Sequence, residues 1–186
     1  MTAITDAKIL ILATDGFEQS ELKVPHQKLK DAGAEVHIVS PEGDAIKGWD
    51  EKNWGETIPA DRKLSDVSAD DYHALVLPGG QINPDILRTI PEAVSLVKAF
   101  HDSGKIIAAI CHGPWLLVEA DVVRGRAVTS YPSIQTDLKN AGGNWQDAEV
   151  VTDRGIITSR KPDDLDAFVS KIIEEVREGR HERDAA

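Results

Sequence analysis

Short apolar runs with no polar break inside them constrain this chain more than any other feature. Lys8 to Ala13, Ala74-Leu75-Val76-Leu77 and Ile106-Ile107-Ala108-Ala109-Ile110 are too short for ordinary helices and lack the alternation of a strand with one wet face. Such runs belong to strands covered on both faces, the situation of a parallel sheet between helical layers. Glu35-Val36-His37-Ile38-Val39 predicts a further strand, with shorter ones at Ala127–Thr129, Glu149–Thr152 and Ile156–Ser159. Helical spacing fills the intervals. Leu22, Leu29 and Ala32 recur before a capping Gly33, with Pro25 predicting a kink or a late start. Val94, Val97 and Phe100 share one face of a helix over Pro91–Gly104, and a short helix is expected from Gly113 to Glu119. Pro162-Asp163-Asp164 opens a final helix through Val176, with proline and acids where a helix N-terminus favours them. Alternating strands and helices define an α/β fold with a mostly parallel sheet and helices on both faces.

The 186 residues fit one domain, 1–186. Gly43–Asp66, carrying Trp49 and Trp54, breaks the rhythm and reads as an irregular or hairpin insertion, and Arg177–Ala186 as a charged, fraying tail. The formal charge of −11 disfavours binding to nucleic acid and to anionic membrane surfaces. No apolar run reaches the ~18–20 residues that span a bilayer. One cysteine cannot form an intramolecular disulfide, which points to a reducing, cytoplasmic setting.

Open α/β sheets bind ligands outside the carboxyl ends of their strands. The loops there are Thr14–Glu18, Pro78–Asp85 and Cys111–Trp115. Ile110-Cys111-His112-Gly113 joins a buried strand directly to a helix, the layout of a nucleophile elbow with cysteine in place of serine. A helix N-terminus there favours a thiolate, and its free amides face an oxyanion. The competing reading is a small cysteine that is merely buried. His112 could act as base, although neighbours on an elbow usually point apart. Gly79 and Gly80 allow an amide to approach a reacting oxygen, and equally suit a tight turn. Glu18 is either a carboxyl held protonated beside the sulfur or a solvated acid. No histidine pair has metal-ligand spacing and no phosphate-cradling glycine motif occurs, so neither metal nor nucleotide cofactor is indicated.

Ala109-Ile110-Cys111-His112-Gly113-Pro114, Leu77-Pro78-Gly79-Gly80, Asp15-Gly16-Phe17-Glu18 with Glu21-Leu22, and Thr158-Ser159-Arg160 stand in an order that resembles the ThiJ/PfpI family. That family lies within the class I glutamine-amidotransferase-like superfamily, and the resemblance extends from about Lys8 to Val176, closest to the PfpI-type intracellular protease and stress-protein branch. It implies a flavodoxin-like sandwich with Cys111 as nucleophile and His112 as partner. Glu18 would be the protonated carboxyl touching sulfur, and Gly79, Gly80 and His112 would supply oxyanion amides. It also implies a homodimer in which a carboxylate from the neighbouring subunit orients the histidine. The matching position is Asp85, one carbon shorter than the family's glutamate.

The expected function is a stress-response cysteine hydrolase, acting on glyoxal, methylglyoxal or glycated protein, or on peptides. The alternative is an oxidative-stress sensor or holdase, in which Cys111 goes to sulfenic or sulfinic acid without turnover.

Overall fold

The computed structural model describes residues 2–181. In chain order the strands are β1 (Lys8–Leu12), β2 (Phe17–Glu18), β3 (Glu35–Ser40), β4 (Ile46–Asp50), β5 (Asn53–Ile58) and β6 (Arg62–Lys63). They continue as β7 (Ala74–Leu77), β8 (Ile106–Ile110), β9 (Ala127–Val128), β10 (Asn144–Trp145), β11 (Val150–Asp153) and β12 (Ile156–Ser159). The helices are α1 (Gln19–Asp31), α2 (Ile82–Leu87), α3 (Pro91–Asp102), α4 (Trp115–Glu119), α5 (Gln135–Asn140) and α6 (Leu165–Glu178).

Seven strands form the central sheet in the order β11-β12-β8-β7-β1-β3-β6. All its pairings are parallel except that of β11 with β12. The unbroken apolar runs are explained by two separate cores. Along β1, Ile9 and Ile11 face one layer with Leu22, Leu29, Phe168 and Ile172 of α1 and α6. Leu10 and Leu12 face the other, with Val97 and Phe100 of α3 and Leu117 of α4. Phe100 and Phe168 are wholly buried, and truncation of either to alanine would cost about 3–5 kcal/mol.

The insertion is a hairpin. Strands β4 and β5 pair antiparallel with a register shift between Lys47 and Trp49, and β4 attaches to the two-residue β2 through Phe17↔Gly48 and Glu18↔Trp49. Pro25 does not delay the start of its helix, because α1 begins at Gln19 and runs on through the buried proline. What Pro25 removes is the amide that would have bonded the Glu21 carbonyl.

Two elements at the sheet edge differ from expectation. The Pro78–Asp85 loop is shorter, because its residues 82–85 already belong to α2, and α4 starts at Trp115, two residues later than the expected Gly113. The tail is also more ordered than expected up to His181, whose amide donates to the Gly104 carbonyl at 3.0 Å. Residues 182–186 of the expected fraying tail lie outside the described residues. Among the described residues, no helix is long and apolar enough to cross a membrane.

Candidate active site

Strand β1 lies between β3 and β7, so consecutive connections depart in opposite directions from it. The crevice at this switch point collects the ends of β1, β7 and β8. A cavity of about 510 Å³ opens there, lined by Gly16, Glu18, Trp49, Glu51, Gly80, Gln81, Ile82, Cys111, His112 and Tyr131.

Cys111 follows β8 with φ +63, a left-handed conformation unusual for a residue with a side chain. Its backbone is fixed at both ends: the amide donates to Ser159 O at 3.0 Å and the carbonyl accepts from Tyr131 N at 2.8 Å. This turn presents the sulfur to the cavity while leaving the residue only 7% exposed. It also brings His112 round, so that the sulfur lies 3.2 Å from Nδ1 of its own neighbour. The two side chains do not point apart as an elbow usually dictates. His112 Nε2 meets Ser133 Oγ at 3.0 Å, Tyr131 stacks on the ring at 4.9 Å, and Trp115 closes its edge. Burial lowers the histidine's proton affinity and so favours the neutral ring.

The carboxyl at the sulfur belongs to Glu21, where the sequence reading expects Glu18. Glu21 sits in the first turn of α1 and is fully buried. Its Oε2 accepts from the Gly79 amide at 2.8 Å, and its side chain interacts with the Cys111 thiol. Oε1 is buried without a well-aligned hydrogen-bond partner. Burial, and then the charge of Glu18, push Glu21 up to about 8. Glu18 instead lies half-buried on the cavity wall, where Ser20 Oγ donates to it at 3.3 Å. The physical reason for the exchange is the change of backbone between them: Glu18 ends β2 with an extended backbone and stays at the cavity wall, whereas Glu21 lies in the first turn of α1 and is carried inward with the buried Leu22 and Pro25.

The amides divide likewise. Gly79, expected to face an oxyanion, spends its amide on Glu21, while those of Gly80 and His112 point to the sulfur. Burial, and next the Glu21 charge, push the Cys111 thiol well above its ordinary value, against the pull of these two amides. That opposes the lowered value expected from the elbow. The five-residue α4 begins too late for its first turn to start at the cysteine. Cys111 and Glu21 therefore behave as one unit that resists carrying two charges.

A Cβ on Gly79 would stand 2.4 Å from Glu21 Oε2 and 2.6 Å from Cys111 Cβ, so only glycine permits this contact. Asn83, a residue the sequence reading passed over, ties the loops together. Its Oδ1 accepts from Thr14 N at 2.8 Å, and its Nδ2 donates to Pro78 O and Gly79 O. Asp85 is exposed on α2 and does not reach His112, whose outer nitrogen faces Ser133 within the chain. Neighbouring Ile82 and Ile86 are 37% and 40% exposed.

Among the described residues, Glu175, Glu178 and His181 place potential metal-ligand atoms within 4.8 Å of one another. Glu175 and His181 already meet at 2.9 Å, and neither Cys111 nor His112 is in this group.

A parallel α/β sandwich with a cysteine on a left-handed elbow, a neighbouring histidine and a buried glutamic acid defines the class. The chain belongs to the DJ-1/PfpI family, whose profile matches residues 7–175. It is 42% identical over 170 residues to a deglycase of Thermococcus kodakarensis, covering 91% of this chain and 99% of that one. It is 43% identical over 163 residues to protein/nucleic acid deglycase 2 of Escherichia coli, covering 87% and 92%. Among solved structures it resembles a two-domain Anabaena variabilis protein with DJ-1/ThiJ/PfpI-like and ferritin-like domains, with TM-score 0.87 and 35% identity over 92% of this chain. The match spans 48% of that longer protein.

Proposed function

We propose that the protein is a cysteine-dependent hydrolase of carbonyl electrophiles, a deglycase in the sense of the relatives' names. The observation that carries this reading is the enclosure of Cys111 Sγ by Glu21, the Gly80 and His112 amides and His112 Nδ1. Glu21 holds its proton below about pH 8 and donates it towards sulfur, which satisfies the otherwise unpaired Oε1. With the carboxyl neutral, the charge that opposes a thiolate disappears.

The thiolate then adds to the carbonyl carbon. A C–S bond forms as the carbonyl π pair moves to oxygen, and the amides at the elbow stabilise that oxyanion. Neutral His112 takes the thiol proton and returns it to the oxyanion, giving a hemithioacetal. A proton then moves from that carbon to the neighbouring carbonyl carbon through an enediol, giving a hydroxyacyl thioester. Water attacks the thioester, so that the C–S bond breaks, a hydroxy acid leaves and the thiol is restored. On an amine-borne adduct the C–N bond breaks first, the nitrogen leaving with a proton and the aldehyde re-forming.

The active unit in this proposal is a cytoplasmic homodimer. Exposed Ile82 and Ile86 share one face of α2 with Asp85, so apolar burial there would carry Asp85 of each subunit towards the partner's site.

The deciding experiment follows turnover of methylglyoxal and of methylglyoxal-treated N-acetylarginine by wild type and Cys111→Ser. Many equivalents consumed per subunit, with loss in the variant, are expected. Cleavage of peptides alone would replace this reading with a peptidase. Stoichiometric oxidation by peroxide with no turnover would replace it with the sensor.

A further inference from the structure

At the edge of the sheet opposite Cys111, the end of α6 carries a second group of chemistry-bearing side chains. Gly104 leads into β8 and Cys111 leaves it, so the length of that strand separates the two places. Glu175 and Glu178 are three positions apart on α6, which sets their side chains on one face of the helix. Gly179, with φ +96, then turns the chain, and His181 comes back against the helix end. The turn is fixed from outside, because the His181 amide donates to the Gly104 carbonyl at 3.0 Å. A Cβ on residue 104 would stand 2.5 Å from the His181 carbonyl oxygen, so glycine is what lets the two segments meet. The backbone held in this way delivers the imidazole to the two carboxylates.

The contact they make is close but is not a hydrogen bond. Glu175 is 3% exposed, and its Oε2 stands 2.9 Å from His181 Nε2. Both atoms are buried, yet among the described residues neither has a hydrogen-bond partner. Lys171 Nζ lies 3.5 Å from the other carboxylate oxygen, Oε1, and 2.9 Å from Glu174, so it leaves Oε2 unsatisfied. Two ligand atoms on one zinc ion, each at about 2.0–2.2 Å, stand roughly 3 Å apart and point their lone pairs at the metal instead of at one another. A 2.9 Å approach without a hydrogen bond has that separation. Exposed Glu178 brings a third ligand atom within 4.8 Å of the other two.

We propose that Glu175, Glu178 and His181 bind a divalent transition-metal ion of the zinc type, with water completing its coordination. The imidazole nitrogen sets the class, since it suits zinc, nickel or copper, whereas magnesium and calcium take oxygen ligands. The ion clips the end of α6 to the loop before β8 through His181 and Gly104. Its effect is on the stability of that end of the molecule, not on the chemistry at Cys111. The site stands independently of the hydrolase reading. Paired-histidine spacing does not describe it, because its one histidine lies beyond the helix that carries both acids.

Untagged, full-length Cys111→Ser protein is titrated with zinc against a chromophoric chelator, because the single thiol would otherwise compete for the ion. One zinc per chain is expected, and magnesium or calcium in excess should not displace it. His181→Gln and Glu178→Gln should each weaken binding by more than the roughly tenfold that loss of a supporting hydrogen bond costs. Both positions lie at the end of the chain's last helix or beyond it, so neither substitution disturbs the core. His26→Gln, on α1, should leave binding unchanged. Zinc should also raise the thermal midpoint of the parent protein and leave that of its His181→Gln derivative where it was. Absence of saturable zinc binding, or equal effects of the substitutions at 26 and 181, overturns the site. A loss of stability in His181→Gln without zinc, and no response of the parent to zinc, overturns it too, since a plain ion pair behaves in that way.

Discussion

Sγ of Cys111 lies 3.2 Å from Nδ1 of His112, the next residue in the chain. The +63° φ at the cysteine makes this contact between sequence neighbours possible, and the hydrogen bonds to Ser159 and Tyr131 hold it there. Thiol and imidazole are thus positioned by one left-handed residue rather than by two distant loops.

Replacing Cys111 by serine keeps the shape of the side chain and removes the nucleophile. Turnover should vanish while chemical unfolding shifts by no more than about 1 kcal/mol. A larger loss of stability would mean that the sulfur itself holds the elbow together.

Glu21 gives a pH dependence of defined sign. Its folded value, about 8, exceeds its ordinary 4.5, so between those limits the folded state binds more protons than the unfolded. Stability from this group is therefore greatest below pH 4.5 and falls as pH rises towards 8, by at most ~1.4 kcal/mol per pH unit. Urea unfolding from pH 5 to 9 should show a flatter profile in Glu21→Gln than in wild type. Identical profiles would show that the carboxyl does not titrate there.

Gly79→Ala places a methyl group against Glu21 and Cys111 at the same time. A loss of about 1–3 kcal/mol is expected from overpacking, together with a changed rate of alkylation by iodoacetamide. Thermal unfolding and intact mass after alkylation measure the two effects. Wild-type behaviour in both would mean that the loop can move aside.

Two variants separate the possible supports of His112. Ser133→Ala removes the contact to Nε2 seen within the chain, and should lower turnover several-fold with little change in stability. Asp85→Ala should lower turnover only in the dimer, without altering sedimentation. An effect of Ser133→Ala alone would make the histidine's support local to the subunit.

Much of the fold is legible because burial on both faces writes itself into the sequence as unbroken apolar runs. β7 and β12 begin and end at the residues that pattern marks. The short elements are less legible: α2, α5, β2, β6 and β10 are held by contacts between loops and carry little periodicity. At the site, Cys111 stands out through the strand-to-helix change. The exchange of Glu18 for Glu21 needs the point where β2 gives way to α1, and Pro25 obscured where that helix begins. Asn83 gives no sequence signal at all, since its work is to bond the backbone of two distant loops.

The hairpin of β4 and β5 pairs chiefly with itself and with two residues of β2, and is anchored by buried Ile46 and by the bonds of Lys47 to Asp15 and Gly16. Its tip nevertheless supplies Trp49 and Glu51 to the cavity. The elbow and this part of the cavity lining therefore belong to separate elements of the chain. A different hairpin could be grafted onto the same elbow, changing what the cysteine meets without disturbing how it is held.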